Sequence, residues 1–338
     1  MILFVSGATG GHIYPGVALA QTLNLPAHFV VSREYPAKSI LAPYKLPFQV
    51  IGFSVKRVLL FPILASQILR VLLKKRPQMI IAMGGGICVP FAVMGWCFRI
   101  PVISFEQNAI PGRATRAIQF FCKKIITAFE SAKNGLYAKS KVMCMGNPTR
   151  LHYPITDALP DEWDQIKGTT LLVVGGSQGA LKINEFIYEN RQAILMRGMN
   201  IIHLTGPAFL KGKASFVDSD NDHVYVAIPY LNNMNLAYQK ASVVMCRSGA
   251  TTLAELHYQH MPSILVPYPY AMDNHQEKNA IEFAKDHNNA SILLETGLSM
   301  TSLSQLLNNV GEKKSVDFVA DPSKDLNSIC ELIKTYLK

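Results

Sequence analysis

An α/β protein built from two Rossmann-like, doubly wound domains is predicted by three features of this 338-residue sequence. Apolar, β-rich runs end repeatedly in glycine and lead into helix-like stretches: "ILFVSGATGGH" at 2–12, "MIIAMGGG" at 79–86, "LLVVGGSQGA" at 171–180 and "VVMCRSGATT" at 243–252. Such strand–glycine–helix units imply parallel sheets. The first and third lie about half a chain apart, which fits two such domains in tandem. Hydrophobic residues make up 49% and charged ones 17%, as a chain with large buried sheets requires.

The elements can be justified in order. Ile2–Val5 reads as a strand, Gly7, Gly10 and Gly11 as the turn, and Val17–Ala20 as part of the helix. Glycine lets a backbone turn tightly against a ligand, and a helix N-terminus favours an anion. The stretch nevertheless matches neither the Walker pattern nor G-x-G-x-x-G, so Glu34 after the second strand is not the ribose acid of a dinucleotide site. "VKRVLLFPILASQILRVLLKKRP" (55–77) is too short between its charges to span a bilayer. It reads either as a core helix with a solvated basic end or as an interfacial helix whose Arg70, Lys74, Lys75 and Arg76 meet anionic headgroups.

Gly, Asn and two prolines in "GNPTRLHYP" (146–154) mark a boundary, giving domains at 1–147 and 148–322. Leu326, Ile329, Ile333 and Leu337 give the tail helical spacing, and the helix at about 323–338 is expected to pack back on the first domain. The run Asp218–Asp222 imitates a D-x-D metal motif, but reads as an exposed turn. The six cysteines form no C-x-x-C pair and mostly lie in apolar strands or helices, so they read as buried free thiols rather than as metal ligands or disulfides.

Charge separates the two halves. Residues 1–147 hold 17 Lys and Arg against 3 Asp and Glu, a balance of +14, whereas 148–338 hold 16 against 20, a balance of −4. The first half is therefore expected to face something anionic: phospholipid, pyrophosphate or nucleic acid. Sparse interleaving of aromatic and basic residues argues against nucleic acid. No cationic leader or long apolar run is present, so neither a signal peptide nor a spanning helix is expected.

Six stretches, taken in order, carry a resemblance: "GATGGHIYPGVALA", "FEQNAIPG" (105–112), "GNPTR" (146–150), "GGSQGA" (175–180), "CRSGATTLAEL" (246–256) and "DNHQEKNA" (273–280). Together they resemble the MurG family of bacterial cell-wall N-acetylglucosaminyltransferases. The resemblance implies a GT-B arrangement, two Rossmann-like domains facing a cleft. It further implies inverting transfer of N-acetylglucosamine from UDP-GlcNAc to the C4 hydroxyl of the muramyl sugar in undecaprenyl-pyrophosphoryl-MurNAc-pentapeptide (lipid I), giving lipid II for peptidoglycan. Expected with it are a peripheral place on the cytoplasmic face of the inner membrane, contact with an anionic surface and with cell-wall synthesis proteins, and no essential metal or cofactor, a divalent cation at most stimulating.

Residue by residue, each chemical reading stands beside a plainer one. His12 is suited to be the base that takes the acceptor's proton, and the plainer reading is a histidine bonded near a helix start. Gly10 and Gly11, with Gly84 and Gly85, would hold the acceptor pyrophosphate. Ser177 and the glycines around it would meet the UDP phosphates, or simply form a tight turn. Glu255 suits the two hydroxyls of a ribose, yet Thr252-Leu-Ala-Glu255 also has capping-box spacing. Gln276 and Asn279 share a helical face and suit sugar hydroxyls, as does His275, or they line a solvated face. The resemblance extends the donor set to Thr9, Gly10, Gly11, His12, Asn108, Arg150 and Leu231. Gly84-Gly85-Gly86 departs from the family's Gly-Gly-Tyr, which removes a tyrosine near the acceptor. The alternative is another UDP-sugar enzyme of the same architecture, a lipid glycosyltransferase or a UDP-GlcNAc 2-epimerase.

Overall fold

The computed structural model describes residues 1–52, 61–153, 163, 166–176, 178–220, 222–312 and 322–337. The chain divides into two compact units, Met1–Tyr153 with Asp321–Lys338, and Pro154–Ala320.

In the first unit the strands are β1 (Ile2–Ser6), β2 (Ala27–Val31), β3 (Phe48–Val50), β4 (Met79–Ala82), β5 (Val102–Glu106), β6 (Lys124–Thr127) and β7 (Val142–Cys144). They form one parallel sheet in the order β3-β2-β1-β4-β5-β6-β7. Its helices are α1 (Gly10–Leu23), α2 (Ala37–Leu41), α3 (Phe61–Lys75), α4 (Cys88–Cys97) and α5 (Arg113–Ile118). Side chains alternate across β1, so Ile2 and Phe4 pack under α1 while Leu3 and Val5 pack under α3 and α4. Both faces are covered, which is why this strand is apolar at successive positions rather than alternate ones.

The second unit repeats the plan with β8 (Thr170–Val174), β9 (Asn200–Leu204), β10 (Phe216–Asp220), β11 (His223–Ile228), β12 (Val243–Cys246), β13 (Ser263–Leu265) and β14 (Ala290–Ile292). Their order is β10-β11-β9-β8-β12-β13-β14, parallel except for the antiparallel edge strand β10. The helices are α6 (Leu181–Leu195), α7 (Met234–Lys240), α8 (Ala250–Gln259), α9 (His275–Asp286) and α10 (Met300–Glu312). The last helix, α11 (Pro322–Thr335), belongs to the first unit, where Leu326, Ile329 and Ile333 join the core around Phe4 and Ile13. These two seven-stranded, doubly wound sheets are the α/β, GT-B-like class that the strand–glycine–helix pattern predicts.

The first unit runs six residues beyond position 147, where the charge balance changes. Side-chain contacts tie that segment down: the Arg150 guanidinium carbon lies 4.2 Å from the centre of the Tyr14 ring, and the Tyr153 hydroxyl donates to Thr22 Oγ1 at 3.0 Å. Among the described residues of the acidic run at 218–222, only its end is a turn, at Asp222 before β11. Asp218 and Asp220 lie in edge strand β10, where side-chain alternation leaves Asp218 beside α6, and its Oδ2 accepts from Arg191 Nε at 2.6 Å. Burial works against its charge, but the Arg191 hydrogen bond and charge prevail and hold this carboxyl below its ordinary pKa.

Helix α3 has one face in the core and an exposed basic end. Ile68, Val71 and Leu72 are buried against the sheet, while Ile63, Arg70, Leu73 and Lys74 are exposed. Residues 55–60 of that segment lie outside the described residues. Among the described residues no helix is long and apolar enough to cross a membrane.

Candidate functional site

Open α/β sheets bind ligands beyond the carboxyl ends of their strands, at the point where the strand order reverses. In the first unit that point lies between β1 and β4, and in the second between β8 and β12. The four glycine-ended runs of the sequence are these four strands, so each switch point carries two of them.

At the first switch point Gly7 N–H donates to the Gly84 carbonyl at 2.8 Å, joining the turn after β1 to the one after β4. His12, in the first turn of α1, lies between them. A Cβ on Gly7 would meet His12 Nδ1 at 2.9 Å, and one on Gly84 would meet His12 Cδ2 at 2.8 Å and Nε2 at 2.9 Å. Glycine is required at 84 by conformation as well as space, since its φ is +106°. The imidazole is thus clasped by backbone on two sides while remaining partly exposed. Thr9 is the N-cap residue of α1, yet its side chain makes no capping bond. Its Oγ1 lies instead 3.2 Å from His12 Nδ1, orienting the ring. Gly10 and Gly11 form the start of the same helix, and Gly85 follows in the opposing turn with φ +89°.

Glu106 ends β5 beside this cradle and was not singled out from sequence. It is buried, and its carboxylate accepts from Asn108 N and Nδ2, from Gly112 N at 2.8 Å and from Thr115 Oγ1 at 2.6 Å. Burial raises its pKa, with these donors pulling the other way. Its role is to fold the 107–112 loop: Asn108 is anchored to it, and Gln107 donates to the Met83 carbonyl at 2.9 Å, next to Gly84. A signal was available, because Glu106 is one of three acids in a half of balance +14 and closes the largely apolar run Val102–Phe105. Arg150 stacks on Tyr14 in this unit.

At the second switch point Ser177 lies outside the described residues, and the glycines around it can be described. Gly176 and Gly179 have φ of +82° and +80°, and a Cβ on Gly175 would meet Ala180 N at 2.7 Å. This turn therefore admits only glycine at several points, and it leads directly into α6. On the other strand, α8 begins at Ala250 with Gly249 as its N-cap and no side-chain cap. The capping-box reading of Thr252 and Glu255 is thereby overturned: both lie inside the helix, too far along to cap it. Glu255 is instead buried and accepts from the Tyr238 hydroxyl at 2.9 Å.

Gln276 and Asn279 open α9 and are bonded back to the segment preceding α8. Ser248 Oγ donates to the Gln276 carbonyl at 2.8 Å, and Asn279 Nδ2 donates to the Ser248 carbonyl at 3.2 Å. Gln276 Oε1 accepts from Tyr268 N at 3.0 Å, and His275 Nδ1 lies 2.8 Å from the Met272 carbonyl, which it must reach as a donor. Asp273 and Asn274 both hold positive φ, +53° and +54°, a costly conformation immediately before the helix. Arg247, also missed from sequence, donates to the Val266 and Pro267 carbonyls and pairs with Glu295. Leu231 is buried in the segment after β11. At the far ends of α8 and α9, His257 Nδ1 lies 2.7 Å from His287 Nε2, and burial followed by the His287 charge lowers the pKa of His257 to about 4. Among the described residues no cluster of three or more His, Cys, Asp or Glu is placed to hold a metal ion.

Comparison with known proteins agrees with this layout. Residues 2–127 match the glycosyltransferase family 28 N-terminal domain, and residues 170–335 match the glycosyltransferase family 28 C-terminal domain. The chain belongs to glycosyltransferase family 28. A relative from Nostoc punctiforme, a UDP-N-acetylglucosamine–N-acetylmuramyl-(pentapeptide) pyrophosphoryl-undecaprenol N-acetylglucosamine transferase, is 31% identical over 99% of this chain and 98% of its own. The protein of that name from Desulfotalea psychrophila is 33% identical over 89% of this chain and 85% of its own. Among solved structures, MurG of Acinetobacter baumannii superposes with a TM-score of 0.72 at 23% identity, over 99% of both chains. As a family 28 member the chain is a glycosyltransferase, and its two switch points carry three of the six stretches on which the resemblance to MurG rests.

Proposed function

We propose that this family 28 enzyme transfers N-acetylglucosamine from UDP-GlcNAc to the C4 hydroxyl of the muramyl sugar of lipid I, giving lipid II. The observation that carries the reading is His12, whose imidazole is clasped by Gly7 and Gly84, oriented by Thr9 and left partly exposed at a switch point. The names of full-length relatives supply the substrates.

In this reading an imidazole nitrogen of His12 takes the proton of the C4 hydroxyl as that oxygen attacks the anomeric carbon of GlcNAc. The new C1–O bond forms as the bond to the β-phosphate breaks on the opposite face, and UDP departs with the electron pair, so the anomeric centre inverts. The Gly175–Gly179 turn and the first amides of α6 would meet the charge growing on that leaving group, with no metal needed. Glu255 would accept the ribose hydroxyls, Leu231 would present its backbone to uracil, and Gln276 with Asn279 would read the sugar. Gly10, Gly11, Gly84 and Gly85 would face the acceptor pyrophosphate.

A lipid-linked acceptor also calls for peripheral docking on an anionic membrane. Arg70, Lys74 and Arg76 are exposed, with Lys75 half-buried beside them. Exposed Trp96, Phe98 and Phe120, at the ends of α4 and α5, add an apolar component that the sequence pattern did not single out. The deciding experiment offers the purified protein radiolabelled UDP-GlcNAc with a short-chain lipid I analogue. Formation of the labelled disaccharide supports the reading, whereas donor epimerisation without acceptor would replace it with the 2-epimerase alternative.

A further inference from the structure

Behind the glycine turn of the second unit lies a chain of side-chain hydrogen bonds that reaches the proposed donor site only through the Thr205 carbonyl. His203 is wholly buried in β9, whose other residues are Asn200, Ile201, Ile202 and Leu204. Its Nε2 lies 3.0 Å from Asn184 Oδ1, and its Nδ1 lies 3.0 Å from the Tyr225 hydroxyl. Asn184, on α6, donates through Nδ2 to the Thr205 carbonyl at 2.7 Å.

The direction of the whole chain follows from its last link. A carbonyl only accepts, so the Asn184 amide must turn its nitrogen to Thr205 and its oxygen to His203. Nε2 of His203 must then carry the proton, and Nδ1 accepts from Tyr225. Burial holds this histidine neutral, its pKa pushed down to about 3, so the arrangement does not alter across the neutral range.

The Thr205 carbonyl is the contact surface of the glycine turn. A Cβ on Gly179 would overlap that oxygen, and one on Gly206 would meet Gly179 Cα at 2.5 Å. The 205–206 peptide and the 178–179 peptide of the turn therefore lie backbone against backbone, with Gly175 N–H also donating to the Leu204 carbonyl at 3.2 Å. Displacing Thr205 would displace the turn.

We infer that Tyr225, His203 and Asn184 are positioning residues for nucleotide diphosphate recognition: they fix the Thr205–Gly206 peptide, and through it the glycine turn that meets the phosphates. The inference rests on the donor reading of that turn. It separates from general stability because its effect falls on phosphates and not on the nucleoside.

The test measures affinity of the full-length protein for UDP and for uridine by competition calorimetry, in wild type, Asn184→Asp, His203→Phe and the double variant. Wild type is expected to prefer UDP strongly. Asn184→Asp sets a carboxylate against the Thr205 carbonyl, and it should cut the UDP-to-uridine affinity ratio at least tenfold while uridine binding changes less than twofold. The double variant should lose no more of that ratio than Asn184→Asp alone, because both act through one link. If His203→Phe fails to fold, Asn184→Asp and His203→Gln, each checked by a thermal melt, carry the comparison. Folded variants that keep the wild-type ratio, or that lose uridine and UDP affinity in parallel, overturn the inference. A wild type that binds UDP no better than uridine overturns the donor reading itself.

Discussion

Substituting Gly84 with alanine tests the base assignment without touching the histidine. The new Cβ would lie 2.8 Å from His12 Cδ2 and 2.9 Å from Nε2, where ordinary carbon contacts are ~3.5–4.0 Å. The ring must therefore withdraw by roughly 0.7–1 Å. Holding a non-glycine residue at φ +106° adds strain, on the order of 1–3 kcal/mol. A misplacement of about 1 Å at a reacting group costs on the order of 10²-fold in rate. The expected result is a kcat on a lipid I analogue lowered about 10²-fold, with donor affinity by calorimetry unchanged and a lower melting temperature. In His12→Ala the same substitution should cost little more, because the group it displaces has gone. A folded Gly84→Ala enzyme turning over within about threefold of wild type would refute the argument, since a transition-state base cannot tolerate such a shift.

Four further outcomes are expected. Glu255→Ala should weaken UDP-GlcNAc binding by about 1.5–3 kcal/mol, the range for a hydrogen bond to a charged group; because Gly249 caps α8, a melt showing only lost stability would remove the ribose role. Glu106→Gln must turn an amide N–H₂ toward donors at either oxygen, and a urea titration should show a stability loss of roughly 2 kcal/mol; an unchanged midpoint would mean that the carboxylate does not organise the 107–112 loop. His203 and His257 have pKa values pushed down to about 3 and about 4 from 6.5, so below pH 6.5 the unfolded chain binds protons that the fold refuses. Stability should thus fall with pH by ~1.4 kcal/mol per unit per histidine, and urea midpoints at pH 7 and 5 should differ less in His203→Gln than in wild type. Replacing Arg70, Lys74, Lys75 and Arg76 together by Gln should weaken sedimentation with anionic vesicles by several-fold or more at low salt, at roughly 1 kcal/mol or less per charge; equal binding of both proteins across salt would exclude this surface.

What the sequence alone determined is set by local rules. Apolar runs ending in glycine require strands buried on both faces and turns free of a side chain, so the two sheets and the position of His12 at a helix start were legible without coordinates. Ser177, Gln276 and Asn279 were proposed through motif position, which survives in a linear reading. Tertiary structure decided the partners. Whether Glu255 capped a helix depended on where α8 begins, and packing placed that start at Ala250, four positions after the last residue of the strand. Glu106 gains its role from Gly112 and Thr115 folding back over it. His203 gains its role from Asn184 and Tyr225, residues 19 and 22 positions away that only strand order brings together. Sequence spacing reports which side chains share one element's face, whereas these groups meet across elements, where sheet register and helix packing set the distance.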